Sequence, residues 1–244
     1  MILGTTLVAA ALIFIFVHGA ALCSLSGLCV GLGVSFPQWQ LFGGSICAGV
    51  TKRKIVALTF DDGPNAENTP ALLALLAERK VRATFFCIGE HIARQRELAK
   101  RMAAEGHEIE NHTFQHCPWT NIFSVRRLRD DLARAQTEIQ SVAGRAPEFF
   151  RPPAGLTNPR IFRVTGELGL KVAAYTARGL DRRMDAPENI AGRLLRKLQP
   201  GAIFLLHDGG VPRERLLAVV TLLLDKLEFE GYQCVRLDEL MAEK

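Results

Sequence analysis

Short apolar runs alternate with longer stretches of helical periodicity from residue 55 to the end of the chain. The runs are apolar at most positions, which is typical of strands buried on both faces. The predicted strands are residues 55–60, 83–89, 107–112, 148–152, 170–176, 202–208 and 232–237, and the predicted helices are residues 69–80, 91–106, 124–144, 158–169, 187–198 and 213–231. Because this alternation requires parallel pairing through right-handed crossovers, it predicts an α/β fold, either a closed β/α barrel or an open doubly wound sheet.

The amino-terminal part of the chain has a different composition. No Asp, Glu, Lys or Arg occurs before Lys52, so all 55 charged residues lie in the remaining 193. Two apolar stretches, residues 7–17 and 21–36, together exceed the roughly 20 residues that cross a bilayer. They indicate one membrane span or a tight hairpin; a cleaved signal peptide is the alternative, although no cation precedes the apolar stretch. We therefore expect a hydrophobic membrane anchor at 1–37, a linker at 38–54 and a globular domain at 55–244.

Charge and cysteine content exclude some functional classes. The net charge of +5 comes from 30 Lys and Arg against 25 Asp and Glu, spread through many acid/base pairs. Nucleic-acid binding would need a basic stripe with interleaved aromatic residues, so we do not expect it. The six cysteines contain no CxxC motif and form no regular framework, which leaves the redox compartment open.

Reactive side chains follow the predicted strands closely. They are Asp61 and Asp62 after the first strand, His112 and His116 after the third, Arg151 after the fourth, Asp181 after the fifth, and His207 with Asp208 at the end of the sixth. The carboxyl ends of parallel strands gather at one face of a barrel or sheet, so we expect these side chains around one mouth. Singly, each has an ordinary explanation in turn chemistry or a surface ion pair. Their joint position at strand ends favours a functional site.

Five short motifs occur in a fixed order within the same region. They are TFDDGP at 59–64, NHTFQH at 111–116, RPPAG at 151–155, the segment around Asp181, and LLHD at 205–208. This set resembles the polysaccharide deacetylase family, the NodB-homology domain of carbohydrate esterase family four, from about Ile55 to Leu240. The resemblance implies a distorted (β/α)7-type barrel. It also implies a hydrolase that removes an N-linked acyl group, acetyl in the first place, from an amino sugar of a polysaccharide, peptidoglycan or lipid-linked glycan.

The resemblance also implies a metal site. One carboxylate and two imidazoles, from Asp62, His112 and His116, suit a divalent transition metal with open coordination positions. We expect Zn²⁺, with Co²⁺ or Ni²⁺ as alternatives. Such an ion makes water a usable nucleophile at neutral pH and polarises a carbonyl group. Cys117, next to His116, is either a fourth ligand or a spacer, and we favour the spacer.

The remaining catalytic roles are carried over from the family motifs. Asp61 resembles the general base that takes a proton from the attacking water, and His207 resembles the acid that protonates the departing amine. Arg151 resembles the arginine that pairs with the base. Asp181 resembles the aspartate that orients the acid histidine.

Two further residues match the family around the acyl group. The backbone N–H of Ala154 occupies the position that donates to the oxyanion, and Leu205 matches the leucine that lines the acetyl pocket. Ala154 stands where the family usually has an aromatic residue. That difference keeps the backbone donor but removes one wall of a substrate groove.

Three arginines near the fourth motif depart from the family pattern. Arg178 and Arg182 stand where the family often has Asp and Trp, and Arg183 follows directly. One interpretation is that they face an anionic, phosphorylated or lipid-linked N-acyl sugar. The alternative is that they are solvated or pair with Asp185 and Glu188.

The leader and the resemblance together predict a location. We expect a protein anchored in the bacterial inner membrane, with the catalytic domain outside the cytoplasm or, alternatively, on the cytoplasmic face. The expected partners are an N-acetylated carbohydrate and, through the anchor, membrane lipid; nothing indicates the oligomeric state. The alternative function is a membrane-tethered glycan-binding module without catalysis. A decayed enzyme is free to lose its base or acid, so the presence of both Asp61 and His207 favours the enzyme.

Overall fold

A computed structural model describes residues 40, 42–183 and 185–243. The described elements are β1 (Ile55–Gly63), α1 (Thr69–Glu78), β2 (Thr84–Cys87), α2 (Gly89–Arg94), α3 (Arg96–Ala104), β3 (Glu108–Asn111), α4 (Val125–Ala143), β4 (Phe149–Phe150), α5 (Pro159–Glu167), β5 (Lys171–Val172), β6 (Ala177–Arg178), α6 (Pro187–Leu195), β7 (Ile203–His207), α7 (Arg213–Phe229), β8 (Gln233–Val235) and α8 (Leu237–Ala242). Short 3₁₀ turns occur at Thr120–Ile122 and Pro153–Gly155.

The strands form one parallel sheet in the order β5-β4-β3-β2-β1-β7-β6, and β8 pairs with the first residues of β1. The sheet curls into a half-barrel, which confirms the predicted α/β class and is consistent with a distorted β/α barrel. The central strand β1 is buried at every residue. Its pairing with β7 sets Asp61 opposite His207, so two of the predicted site residues lie on neighbouring strands.

A segment before β1 spans the open side of the half-barrel. Ile46 pairs with Ala173 beyond the end of β5, and Ala48 pairs with Ala202 just before β7. The amide of Ile46 donates to Val172, at 2.9 Å, and the amide of Gly49 donates to the carbonyl of residue 201, at 2.8 Å. Residues 46–48, which we name the strap, lie within the predicted linker and form part of the wall of the barrel.

Each long helix buries one face against the sheet. In α4 the buried residues are Leu128, Leu132, Ala135, Ile139 and Val142, spaced three or four apart as helical geometry requires. The helix begins after Ser124, whose side chain accepts a hydrogen bond from the backbone of Arg127, and ends at Gly144 with φ of 71°. The same 3.6-residue spacing buries one side of α7 against β1 and β7. The apolar periodicity of the sequence therefore placed these helices correctly.

The structure differs from the predicted elements at several places: β6 and α8 were not predicted, and two further differences have a visible physical reason. The helix predicted at 91–106 is divided at Gln95, where the backbone leaves the helical conformation (φ −131°, ψ 47°) and the side-chain amide donates to the carbonyl of Pro64, at 2.8 Å. The strand predicted at 170–176 ends at Val172. Beyond it, the carbonyls of Ala173 and Ala174 accept hydrogen bonds from the side chain of Arg151, and a separate strand, β6, follows. At both places, hydrogen bonds between a side chain and distant backbone carbonyls accompany the interruption of the regular helix or strand.

The predicted membrane location requires a correction. Among residues 40, 42–183 and 185–243, no helix has both the length and the apolar character needed to cross a membrane. Residues 1–37, on which the predicted anchor rested, lie outside the described residues. The described part of the chain therefore supplies no anchor, and the prediction of an inner-membrane protein with a lipid partner is not supported.

Candidate active site

The carboxyl end of β1 presents two adjacent carboxylates. In a regular strand Asp61 and Asp62 would point to opposite faces. At Asp62 the backbone turns into the left-handed region, with φ of 73°, and both side chains line the same cavity. Gly63 allows this turn to pack tightly, because a Cβ there would lie 2.5 Å from a carboxylate oxygen of Asp208.

The cavity at this end of the sheet has a volume of about 300 Å³. All the residues for which the sequence predicted a role line it: Asp61, Asp62, His112, His116, Arg151, Ala154, Asp181, Leu205 and His207. It is also lined by Gly155, Tyr175, Arg178, Leu180, Arg182 and Arg183. The structure therefore brings the sequence-predicted residues together, although they span almost 150 positions of the chain.

Three potential ligand atoms converge in the cavity. The Oδ1 atom of Asp62 lies 3.2 Å from Nε2 of His112 and 3.2 Å from Nε2 of His116. The ligand atoms of the three residues all lie within 4.8 Å of one another. Among the described residues this converging group does not include Cys117, in line with the spacer interpretation.

The protonation of the two histidines suits a cation between these atoms. Burial lowers the pKa of His112, and burial followed by the charge of His112 lowers the pKa of His116 to about 4. The Nδ1 atom of His112 lies 2.6 Å from the carbonyl oxygen of Arg151, which can only accept, so Nδ1 carries the proton and Nε2 presents a lone pair. Oδ1 of Asp62 is buried without a hydrogen-bond partner among the described residues. A divalent cation therefore fits this donor set, since metal binding needs neutral imidazoles and a free carboxylate oxygen.

A buried ion pair fixes Asp61. Nη1 of Arg151 donates to Oδ1 of Asp61 and to the hydroxyl of Thr59, both at 2.7 Å. The guanidinium lies over the ring of Phe86, 4.0 Å from its centroid, and Arg151 is only 1% exposed. These contacts occupy one carboxylate oxygen of Asp61. The other, Oδ2, lies 3.9 Å from Nε2 of His112 and faces the converging ligand atoms.

His207 is held from the opposite side of the cavity. Its Nδ1 lies 2.8 Å from Oδ1 of Asp181, and its backbone amide donates to Oδ2 of the same carboxylate at 2.7 Å. These two contacts fix the position of the imidazole ring. Because a carboxylate oxygen accepts, Nδ1 of His207 carries the proton in its hydrogen bond with Asp181. Nε2 of His207 is the nitrogen left for other chemistry.

Ala154 and Leu205 lie at the side of the cavity. Ala154 is in the 3₁₀ turn Pro153–Gly155 with φ of 57°, a left-handed conformation that is uncommon for a residue other than glycine. Leu205 is 6% exposed and pairs with Arg178 across β6 and β7. Both residues are therefore positioned by backbone structure that also borders the cavity.

Sequence reasoning missed several contacts that build the site. Arg182 forms an ion pair with Oδ2 of Asp62, and Nδ1 of His91 lies 2.9 Å from the carbonyl oxygen of Asp62. Asp208 is fully buried behind the turn, accepts a hydrogen bond from Thr69 at 2.5 Å, and has a pKa that burial raises to about 7. The only signal in the sequence was the position of these residues in or beside the motifs.

Comparison with known proteins identifies the family. A model of the family described as polysaccharide deacetylase matches residues 48–173. The peptidoglycan-N-acetylglucosamine deacetylase of Bacillus cereus is 36% identical over 193 residues, covering 78% of this chain and 90% of that protein. The chain belongs to the polysaccharide deacetylase family. As a member, this polysaccharide deacetylase is a hydrolase of the glycan deacetylase class, as the sequence predicted.

Solved structures of relatives share the fold. A carbohydrate esterase family four pseudoenzyme from Bacillus anthracis superposes with a TM-score of 0.75 at 26% identity, covering 82% of this chain and 70% of that one. A family four acetyl xylan esterase from Clostridium thermocellum, solved with a cobalt ion, superposes with a TM-score of 0.71 at 32% identity, covering 77% of this chain and 90% of that one. The fold of this deacetylase therefore occurs both with and without catalysis among its relatives.

Proposed function

We propose that this deacetylase is a metal-dependent hydrolase that removes an N-linked acyl group, acetyl in the first place, from an amino sugar of a polysaccharide, peptidoglycan or lipid-linked glycan. Residues 55–244 would carry its catalytic side chains. One observation carries the proposal: an ion-paired Asp61 and an Asp181-bonded His207 lie on adjacent strands, beside three converging metal-ligand atoms. The N-acetylglucosamine activity of the Bacillus cereus relative supports this substrate class.

The metal would be held by Asp62, His112 and His116. Their converging atoms and the unsatisfied Oδ1 of Asp62 support this assignment, with Zn²⁺ expected and Co²⁺ or Ni²⁺ as alternatives. When bound, a divalent metal supplies a Lewis acid for the acyl oxygen and lowers the pKa of water. The cobalt ion in the Clostridium thermocellum relative is in keeping with a transition metal in this family.

Asp61 and His207 would move the two protons of the reaction. Oδ2 of Asp61 accepts a proton from the attacking water while Arg151 holds Oδ1 in place. The water oxygen bonds to the acyl carbon, and the bond from that carbon to the sugar nitrogen then breaks. Nε2 of His207 donates the proton that the departing amine needs, and Asp181 stabilises the ring through Nδ1. The products are a free amino sugar and a carboxylate.

Ala154 and Leu205 would position the acyl group. The left-handed turn at Ala154 directs its backbone N–H differently from a helical or extended residue, which supports a role as donor to the developing oxyanion. Leu205 precedes His207 by two residues on β7, so both side chains face the same side of the strand. An acyl group bound against Leu205 would therefore lie beside the acid.

The alternative is a glycan-binding module without catalysis; the Bacillus anthracis relative is itself a pseudoenzyme of the family. The geometry favours the enzyme. Base and acid are both present, and each retains the partner that orients it. A binding module would have no need for two oriented proton-transfer groups across one cavity.

Two adjacent substitutions test the assignment. In Asp61→Asn we expect metal content to remain stoichiometric and kcat to fall by roughly 10² to 10⁴, the range for a positioned acid or base. In Asp62→Asn we expect metal to be lost, with activity partly restored by excess Zn²⁺ or Co²⁺. Metal analysis and amine release from N-acetylated chitin oligomers and peptidoglycan fragments measure both effects.

The outcomes separate the competing assignments. If Asp61→Asn loses its metal while Asp62→Asn stays fully loaded, the roles of the two carboxylates are exchanged. If the metal-loaded wild-type protein binds these glycans and releases no amine, the binding module is correct. If it releases acetate only from O-acetylated xylan, it is an esterase and the N-acyl assignment is wrong.

A further inference from the structure

Arginine residues concentrate on one side of the cavity mouth. Arg178 ends β6, and Arg182 and Arg183 lie in the loop between β6 and α6; all three line the cavity. Arg182 is engaged by Asp62. Arg178 and Arg183 are both exposed at the mouth and belong to no catalytic contact described above.

The two exposed arginines have no acidic partner within the described residues. No carboxylate oxygen of residues 40, 42–183 or 185–243 forms an ion pair with Arg178 or Arg183. Asp185, one of the two partners expected from the sequence, instead forms an ion pair with Arg193, at 2.8 Å. The structure therefore does not use these two charges for its own stability.

The acids of the cavity cannot balance these charges either. Asp61 is paired with Arg151, and Asp181 is bonded to His207. Asp62 faces Arg182 and, under the proposed function, the metal. With every lining carboxylate engaged, two guanidinium groups remain to set the potential of the mouth, and they favour a negatively charged ligand.

The position of the arginines indicates which part of the substrate would carry the charge. Arg178 pairs in register with Leu205, two residues before His207, and Arg183 follows two residues after Asp181. The cationic side of the mouth is thus the side of His207. Under the proposed function His207 protonates the sugar nitrogen, so the sugar lies towards these arginines.

We infer that Arg178 and Arg183 form an anion subsite, and that the substrate is an N-acylated amino sugar with a carboxylate or phosphate close to the acylated nitrogen. This inference rests on the proposed function and narrows its substrate. Guanidinium groups bind both anions through paired, charge-assisted hydrogen bonds. Ala154 does not supply the aromatic wall that the family usually has there, and Tyr175 is the one Tyr, Phe or Trp among the described residues that line the cavity. This lining is in keeping with recognition by charge more than by stacking on sugar rings.

The test compares the double variant Arg178→Gln, Arg183→Gln with the wild type on three matched oligomers. One is a neutral N-acetylglucosamine oligomer, the second carries a carboxylate ether on the acetylated sugar, and the third carries a phosphate ester there. We expect the ratio of kcat/KM for an anionic oligomer to that for the neutral one to fall at least tenfold, mainly through KM. Arg196→Gln, Lys197→Gln, which removes two exposed cations after α6, is the charge-matched control and should leave the ratio unchanged; Arg196→Gln alone should also leave it unchanged.

Further readouts sharpen the result. Raising the salt concentration should increase KM of the wild type for the anionic oligomer more than for the neutral one, and the double variant should lose this difference. A response restricted to the carboxylate or to the phosphate identifies which anion is the ligand. The double variant Arg178→Lys, Arg183→Lys keeps both charges but cannot form the paired hydrogen bonds of a guanidinium. We expect its kcat/KM ratio to lie between those of the wild type and the glutamine variant.

Failure of this inference is distinguishable from failure of the proposed function. If the wild type deacetylates the oligomers and the double variant changes every kcat/KM equally, there is no anion subsite. An equal fall in Arg196→Gln, Lys197→Gln would likewise assign the effect to overall charge. If the metal-loaded wild type deacetylates none of the three oligomers, the proposed function is wrong, and the inferred substrate is wrong with it.

Discussion

Acidic side chains are buried at both ends of the parallel sheet, the end that carries the cavity and the opposite end. Strand β3 connects the two ends, and one of its faces carries ionisable side chains at each. Glu108, Glu110 and His112 occupy alternate positions, so they share that face. At the end opposite the cavity, Glu108 accepts hydrogen bonds from the hydroxyl of Thr84 at 2.5 Å and the backbone amide of Leu237 at 2.9 Å. There the carboxylate joins two strands to the start of α8.

At the cavity end of the sheet, the buried carboxylates have different partners. Asp61 has one oxygen fixed by Arg151, while Oδ1 of Asp62 is buried and accepts no hydrogen bond from the described residues. Oε1 of Glu108 is also buried without a hydrogen bond among the described residues, but it lies 3.3 Å from the guanidinium of Arg145, whereas Oδ1 of Asp62 lies 3.2 Å from two imidazole nitrogens. Leaving a buried carboxylate oxygen unsatisfied costs free energy, and it indicates a ligand site where other potential ligand atoms converge on that oxygen. The contrast teaches that burial of an acid alone does not reveal function; the partner of each oxygen does.

The largest expected effect compares a histidine at each end. His112→Ala should lose the bound metal and reduce kcat/KM by about 10⁴-fold or more, because the metal contributes several kcal/mol to catalysis. His107→Ala should keep metal and activity. It should instead lower the free energy of unfolding by about 1–3 kcal/mol, since Nδ1 of His107 accepts the amide of Ala83 at 3.1 Å and that amide would lose its partner.

Metal analysis, steady-state kinetics and urea unfolding of both variants measure these effects. Equal metal loss in the two histidine variants would mean that the ends of the sheet are not functionally distinct. Full metal content in His112→Ala would remove it from the ligand set.

The second comparison concerns two arginines. Arg151→Met leaves Asp61 buried without its cation, and removing one partner of a buried pair typically costs about 3–5 kcal/mol. The side chain of Arg145 is 38% exposed and lies 3.3 Å from both Glu108 and Glu110. For Arg145→Met we expect a smaller loss, about 1 kcal/mol or less, because solvent reaches its guanidinium and because burial raises the pKa of both glutamates, so that they can be neutral without a cation.

Urea unfolding at pH 7 measures this difference. Activity per folded molecule should fall in Arg151→Met and stay unchanged in Arg145→Met. A larger stability loss from Arg145→Met than from Arg151→Met would contradict the prediction that the buried ion pair at the cavity end contributes more to stability.

The smallest expected effect is a pH dependence of stability. Burial raises the pKa of Asp208 to about 7, above its unfolded value, so between about pH 4 and pH 7 the folded state holds a proton that the unfolded state has lost. This contribution to stability is present below about pH 4 and is lost as pH rises through about 7. Asp208→Asn should therefore gain stability relative to the wild type across that window, by on the order of 1–2 kcal/mol.

Urea unfolding of wild type and variant at pH 4, 5.5 and 7 provides the measurement. Burial, followed by the charge of Glu108, also raises the pKa of Glu110, so Glu110→Gln should change stability in the same direction. We therefore expect a buried carboxyl with a raised pKa at each end of the sheet to give the same direction of pH dependence of stability. Curves for Asp208→Asn that stay parallel to the wild type would contradict the buried, protonated carboxyl.

Much of the fold could be predicted because it follows from periodicity, and the candidate site residues could be proposed because they lie in ordered motifs at the strand ends. Apolar runs located β1 and β7, and the rule that parallel strands share their carboxyl ends placed Asp61 and His207 at one mouth. The pairing of those two residues across β1 and β7 needs only correct strand register. Local pattern was sufficient here because the elements are buried and regular.

Loop geometry could not be predicted in this way. Left-handed backbone occurs at Asp62, Thr113, His116, Ala154 and Leu180, none of which is glycine, and all lie in or beside the site. These conformations are imposed by tertiary contacts that no local pattern encodes. The ion pair between Arg182 and Asp62 depends on them, because it joins the loop after β6 to the end of β1, 120 positions away.

The strap at residues 46–48 sets how far the chain can be trimmed from its amino end. A protein that starts at residue 52 would retain every side chain that lines the cavity. It would lack the backbone groups of Ile46 that bond Val172 and Ala174, next to the carbonyls that hold the guanidinium of Arg151. We therefore expect the minimal folding unit to start before Ile46, with its edge defined by main-chain pairing rather than by the first motif or the first strand.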